Sequence, residues 1–175
     1  MISNKKAQFY IFTAVMLIGY ATLLLQSFDV VPPVSKNLRQ AYENFAFESD
    51  AVLNNALFAQ ADIDTEYGRF LDNFISYSRM KKLNVDVFAV LEHGEYIYFF
   101  NKMDNIVRIM DLNETVPPGT STYFLRSNLS DVALEVRDDV FHENIYKFSI
   151  SNQGTDAKAI LRVKKGTKRE IFVKE

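Results

Sequence analysis

Few side chains in this chain are equipped for chemistry. Two are histidines: His93, inside Glu92-His93-Gly94-Glu95, and His142, inside Phe141-His142-Glu143. Both segments have the composition of polar surface turns, whereas a zinc site or an acid–base dyad asks for several ligands at set spacing. The HExxH form of that spacing is absent. With no cysteine, thiolate catalysis, cysteine-held metals and disulfides are excluded. The serines lack a G-x-S-x-G elbow, and the six glycines form neither a Walker loop nor a dinucleotide fingerprint. Asp62, Asp64 and Glu66 alternate like the first ligands of an EF-hand. Tyr67, however, stands where that loop needs glycine, and Asn73 where it needs a bidentate glutamate. These acids read instead as helix-capping residues, and Asp138-Asp139 is a further carboxylate pair without a supporting motif. The expectation is a protein that is not an enzyme and that carries no catalytic, cofactor or metal site.

Two N-x-S/T triplets, Asn113-Glu114-Thr115 and Asn128-Leu129-Ser130, mark Asn113 and Asn128 as glycosylation acceptors. Twenty basic residues against 22 acidic ones, mixed along the chain, give no electrostatic case for a nucleic-acid partner. Hydrophobic residues at 48% and charged residues at 24% are the proportions of a folded globular chain, and fifteen Phe with nine Tyr supply its core.

Lys5 and Lys6 lead into residues 7–28, which hold no charged side chain. About 20 apolar residues span a hydrocarbon core as a helix, so this run is expected to be a transmembrane helix. It is longer than a signal-peptide core and no small-x-small site follows it, which disfavours ordinary signal cleavage. The lysines precede it and Asp29 follows, so the positive-inside rule puts the N-terminus in the cytoplasm and the rest outside the cell membrane. Membrane lipid is then the first partner.

The sequence Lys5-Lys6-Ala7-Gln8, set directly before the apolar run, resembles the leader of archaeal type IV prepilins. The resemblance covers about residues 5–25. It implies a leader peptidase cutting between Ala7 and Gln8, after the basic Lys6 and the small Ala7. It also implies a mature protein that begins with its apolar helix and forms homo- or hetero-oligomers through it. In two respects the chain departs from many pilins: Phe12 stands where they carry glutamate, and Pro32-Pro33 interrupts a continuous helix.

The elements beyond follow from periodicity. Pro32 and Pro33 read as a hinge and Ser35 as an N-cap. Leu38, Ala41, Tyr42, Phe45 and Ala46, continued by Val52, Leu53, Ala56 and Leu57, predict one amphipathic helix or two collinear ones. Asp64 is expected to cap a second helix with Tyr67, Phe70, Leu71, Phe74, Ile75 and Ser78 on its apolar stripe, ended by Lys81 and Lys82. After Leu83 the period becomes two. Strands are predicted over 85–91, 96–101, 106–112, 123–126, 132–137, 145–151, 159–164 and 170–174, with 116–122 an exposed loop. Tyr96, Tyr98 and their neighbours read as a buried strand with a partly exposed tyrosine face.

The fold class is therefore α+β. Residues 1–28 form a cytoplasmic leader and transmembrane helix, 29–83 a hinge with amphipathic helices, and 84–175 an antiparallel β-sandwich or barrel-like domain. The functional expectation is a pilin-like, membrane-anchored surface protein, a subunit or minor component of a type IV pilus-like filament. The alternative is a single-pass anchored protein whose outer domain binds another envelope component.

Overall fold

A computed structural model describes residues 33–129, 131–139, 142–151 and 154–175. The apolar run, with Lys5, Lys6, Ala7 and Gln8, lies outside them. Among the described residues no helix is long and apolar enough to cross a membrane. Residues 37–175 form one unit that includes every described strand, one whole helix and the other helix from Asn37 onward.

The α+β expectation holds, with two helices and two antiparallel sheets among the described residues. Helix α1 runs unbroken over Pro33–Phe58 and α2 over Ile63–Met80. Pro33 is thus the first residue of α1, not part of a hinge before it. Proline suits that position because the first N–H groups of a helix lack intrahelical partners anyway. Ser35 consequently lies inside the first turn instead of capping it. The N-cap of α2 is Asp62, with extended backbone (φ −71°, ψ 102°), and Asp64 falls in the first turn. Its far end closes in a Schellman motif: Leu83 N–H donates to Ser78 O and Lys82 N–H to Arg79 O.

Nine strands follow: β1 Asn84–His93, β2 Tyr96–Lys102, β3 Val107–Ile109, β4 Glu114–Val116, β5 Ser121–Leu125, β6 Asp131–Asp139, β7 His142–Ser149, β8 Asp156–Lys165 and β9 Lys168–Lys174. They make a five-stranded sheet in the order β5-β2-β1-β8-β9 and a four-stranded sheet in the order β4-β3-β6-β7. Both are open sheets, and they share one apolar cluster. It includes Phe88, Val90, Ile97 and Phe99 from the first sheet, and Val107, Leu134, Val136 and Phe148 from the second. The expected loop over 116–122 is shorter than read, because Val116 ends β4 and Ser121 opens β5. Between them Thr120 N–H donates to Pro117 O, with Gly119 at φ 73°, the positive angle a type II turn requires.

The helices cover the other face of the first sheet. Tyr67 of α2 meets Phe100 with ring centroids 5.9 Å apart, and Phe100 pairs with Ala89 of β1. Asp72, further along α2, reaches Lys102 at 2.6 Å, so α2 runs parallel to β2. Helix α1 lies over β9: Tyr42 stacks on Phe172 at 4.9 Å and donates its hydroxyl to Val173 O, while Asp50 pairs with Lys174. Phe45 joins the helices, 5.5 Å from Phe70 and 5.1 Å from Phe74. Strand β1 is therefore dry on both faces, with every residue from Val85 to Leu91 buried.

The chain leaves the first sheet after β2, builds β3 and β4 of the second, and returns as β5. Asn101 holds this crossing. Its buried amide donates to Asn105 O (2.8 Å) and Val116 O (2.7 Å) and accepts from Met103 N–H (3.0 Å). Replacing it with leucine fills the same volume but leaves those buried backbone groups unpaired. Asn101→Leu is expected to lower stability by about 1–3 kcal/mol, read by chemical denaturation. A change within error would show that the crossing is held by packing alone.

Candidate functional site

At the Tyr96 end of the first sheet a group of tyrosines reaches solvent. Alternation places Tyr96 and Tyr98 of β2 on the helix-facing side, and the β2–β5 register sets Tyr123 beside Tyr98 and Leu125 beside Tyr96. The helices do not cover this corner: Tyr123 is 62% exposed, Leu125 45% and Tyr96 39%. The rings touch, with centroids 5.5 Å apart for Tyr96–Tyr123, 5.8 Å for Tyr98–Tyr123 and 6.2 Å for Tyr96–Tyr98. No gap is left for a ligand between them, so they form a platform and not a cage. β5 is also an edge strand, with one side of its backbone unpaired within the sheet.

The start of α2 borders this platform. Asp64 lies one turn before Gly68, which sits over Phe100, and Tyr98 is two residues before Phe100 on the same strand face. Burial, then the charges of Asp64 and Asp62, push the Tyr98 phenol above its usual range. The two carboxyls hydrogen-bond each other, which holds Asp62 below and Asp64 above the ordinary carboxylate range. Thr65 Oγ1 also donates to Asp62 Oδ2 at 2.8 Å. Aromatic faces beside acids without a basic partner attract cations and the flat surfaces of partner molecules. The expected tyrosine face is thus present, and the fold adds Tyr123 and Leu125 to it. Period-two reading marks which β2 residues share a face, but only strand pairing reveals which distant strand joins them.

A second cluster lies inside. Glu92 is fully buried, pairs with Lys158 Nζ, and accepts from Arg126 Nη2 (2.9 Å) and Ser151 N–H (2.8 Å). Arg126 also donates to the carbonyls of Gly94 and Gly154. Burial alone would lower the Lys158 ammonium, but Glu92 and Asp156 outweigh it and raise its pKa. With its carboxylate oxygens engaged by two cations and a backbone donor, Glu92 is a structural tie. At the other end of the same strand face Arg162 meets Asp86 at 3.6 Å and Asp104 at 2.9 Å.

A third feature is an open groove of about 370 Å³ between the helices, lined among others by Asn37, Gln40, Asn44, Tyr77, Lys81 and Lys165. Its walls mix amides and ammonium groups with the Glu48 carboxylate, the Ser78 hydroxyl and the apolar Ala41, Phe74 and Leu83.

The residues singled out in the sequence do not converge. Asn113 is exposed in the β3–β4 turn at φ 54°, its side-chain oxygen accepting from Arg108. Asn128 ends a short 3-10 helix, Arg126–Asn128. His93 is not in a turn but is the last residue of β1, half-buried, with Nδ1 2.8 Å from Thr155 Oγ1. His142 opens β7. Among the described residues no group of three His, Asp or Glu is placed to hold a metal.

Two outcomes follow from the buried charges. Glu92→Gln leaves Lys158 and Arg126 with an uncompensated buried charge and is expected to cost about 3–5 kcal/mol in chemical denaturation. Burial raises the Tyr67 phenol far above its usual range, against a 3.1 Å hydrogen bond with Ser49. For Lys158 and Tyr67 alike the folded-state pKa lies above the unfolded one. Their contribution is complete below about pH 10 and is lost as pH rises further. Stability should therefore fall above that pH, and Tyr67→Phe should make the fall shallower.

No protein-family model, no curated protein and no solved structure matches this chain.

Proposed function

We propose that the chain is a pilin-like, membrane-anchored protein of the cell envelope that works by presenting its outer domain, not by catalysis. What supports this reading is the short stretch of sequence between the apolar run and the core. Residues 7–28 are uncharged and long enough to span a bilayer, and only four residues separate them from Pro33, where α1 begins. One stripe of α1, with Leu38, Ala41, Phe45, Ser49, Leu53 and Ala56, is built into the core. Such a helix would carry force and position from the membrane straight into the domain, as a filament subunit requires. In this reading Lys6, Ala7 and Gln8 serve processing and the following apolar residues pack in lipid or against neighbouring helices.

The tyrosine platform favours a second reading, a single-pass anchored protein whose outer domain docks to another envelope component. Large aromatic side chains with few rotatable bonds are efficient interface anchors.

Intact-mass and N-terminal peptide analysis of the protein from its native membrane separates the two. A chain beginning at Gln8 is the expected result for the filament subunit. A chain beginning at Met1 or Ile2 overturns leader processing and leaves the docking protein. Recovery of the whole protein in the soluble fraction would overturn both.

A further inference from the structure

The helix-backed sheet carries opposite charge at its two ends, and the chain enters at the positive one. Lys81 and Lys82 follow α2, Lys164 and Lys165 end β8, and Lys168 opens β9 after a two-residue turn. Register brings these ends together, since Lys164 pairs with Asn84 and Lys165 with Lys168. Several acids near this end are already engaged, Asp72 with Lys102 and Asp86 and Asp104 with Arg162, leaving Glu170 at the rim and Glu48 in the groove that Lys81 and Lys165 line. The opposite end holds Asp62, Asp64 and Glu95 with the tyrosine platform, while Asp156, Glu92 and Asp50 there are paired with Lys158, Arg126 and Lys174.

Lys82 adds a second observation. It occupies the position after the helix cap with φ 58°, a left-handed conformation that glycine adopts freely and lysine does not. The chain thus places a positive charge where the backbone favours glycine. The place of chain entry is the third. Asn37 lines the same groove as Lys81 and Lys165, so residue 37 lies at the basic end. The eight residues 29–36 separate it from the apolar run. Residues 29–32 reach about 14 Å at most if fully extended, and 33–36 add about 6 Å as helix, so an anchored chain keeps this end near the headgroups.

We propose that Lys81, Lys82, Lys164, Lys165 and Lys168 form a docking face for anionic lipid headgroups, which orients the outer domain with its tyrosine platform away from the membrane. The inference rests on the anchored reading above. Charge at both ends favours the same orientation, because the acidic end is repelled by the surface that attracts the lysines.

The cysteine-free sequence makes single labels unambiguous. Full-length Thr167→Cys and Tyr123→Cys proteins would be spin-labelled and placed in nanodiscs of phosphatidylcholine, with or without phosphatidylglycerol. A relaxation agent at the headgroups reads their proximity. The Thr167 label should lie closer to the headgroups in anionic than in neutral discs, and the Tyr123 label farther from them than the Thr167 label in both. Lys82→Gly should raise the thermal midpoint yet lower the docked-to-undocked ratio about fivefold, the effect of one lysine at an anionic surface. A Thr167 label that is indifferent to lipid charge, or a Tyr123 label nearer the membrane, overturns the docking face. Failure of the protein to co-elute with the discs is a separate result, and it overturns the anchor itself.

Discussion

Strand β1 sets the constraint on which the rest of the molecule depends. It lies at the centre of the five-stranded sheet, and both of its faces must be dry. One face takes the helices and the other takes the second sheet. Neither cover can be lost without exposing a strand of Val, Phe, Ala and Leu to water, and large-to-small changes in such a core cost several kcal/mol. The requirement explains why residues 37–175 form one unit.

The inward face of β1 also solves a register problem. Read along that face, Asp86 and Glu92 flank Phe88 and Val90, and the paired face of β8 reads Arg162, Ile160, Lys158 and Asp156. A shift by one residue would turn the apolar pair outward and strand both charges. The apolar centre thus supplies the burial while the charged ends fix alignment. Arg126, from a segment that follows β5, ties the loop after β7 to Glu92 through the same cluster. These buried ions serve architecture: each joins strands or loops that are distant in the sequence.

The outer chemistry follows from the same layering. Where the helices end, the sheet continues, and the uncovered corner carries the tyrosine platform with the acids of the α2 start. At the other end, the turn after α2 and the β8–β9 hairpin gather lysines. A chain with a net charge of only −2 thereby acquires two unlike ends.

The sequence by itself determined the two helices, the strands other than β4 and the switch of period after Leu83, because each rests on local spacing that burial of one face enforces. It also marked Tyr96 and Tyr98 as sharing a face. It did not reveal β4, which is too short to show a period, or the reach of α1 back to Pro33, where a proline that forbids a helix interior is acceptable at its start. The role of Asn101, the burial of Glu92 and the assembly of Tyr123 with Tyr96 and Tyr98 were decided only by the tertiary structure. Each depends on partners brought from distant segments, and a single residue's type carries no record of who its neighbour will be. The gathering of lysines from α2, β8 and β9 at one end has the same origin. Local physics chooses the elements, and the packing of two covers onto β1 chooses which of their side chains meet.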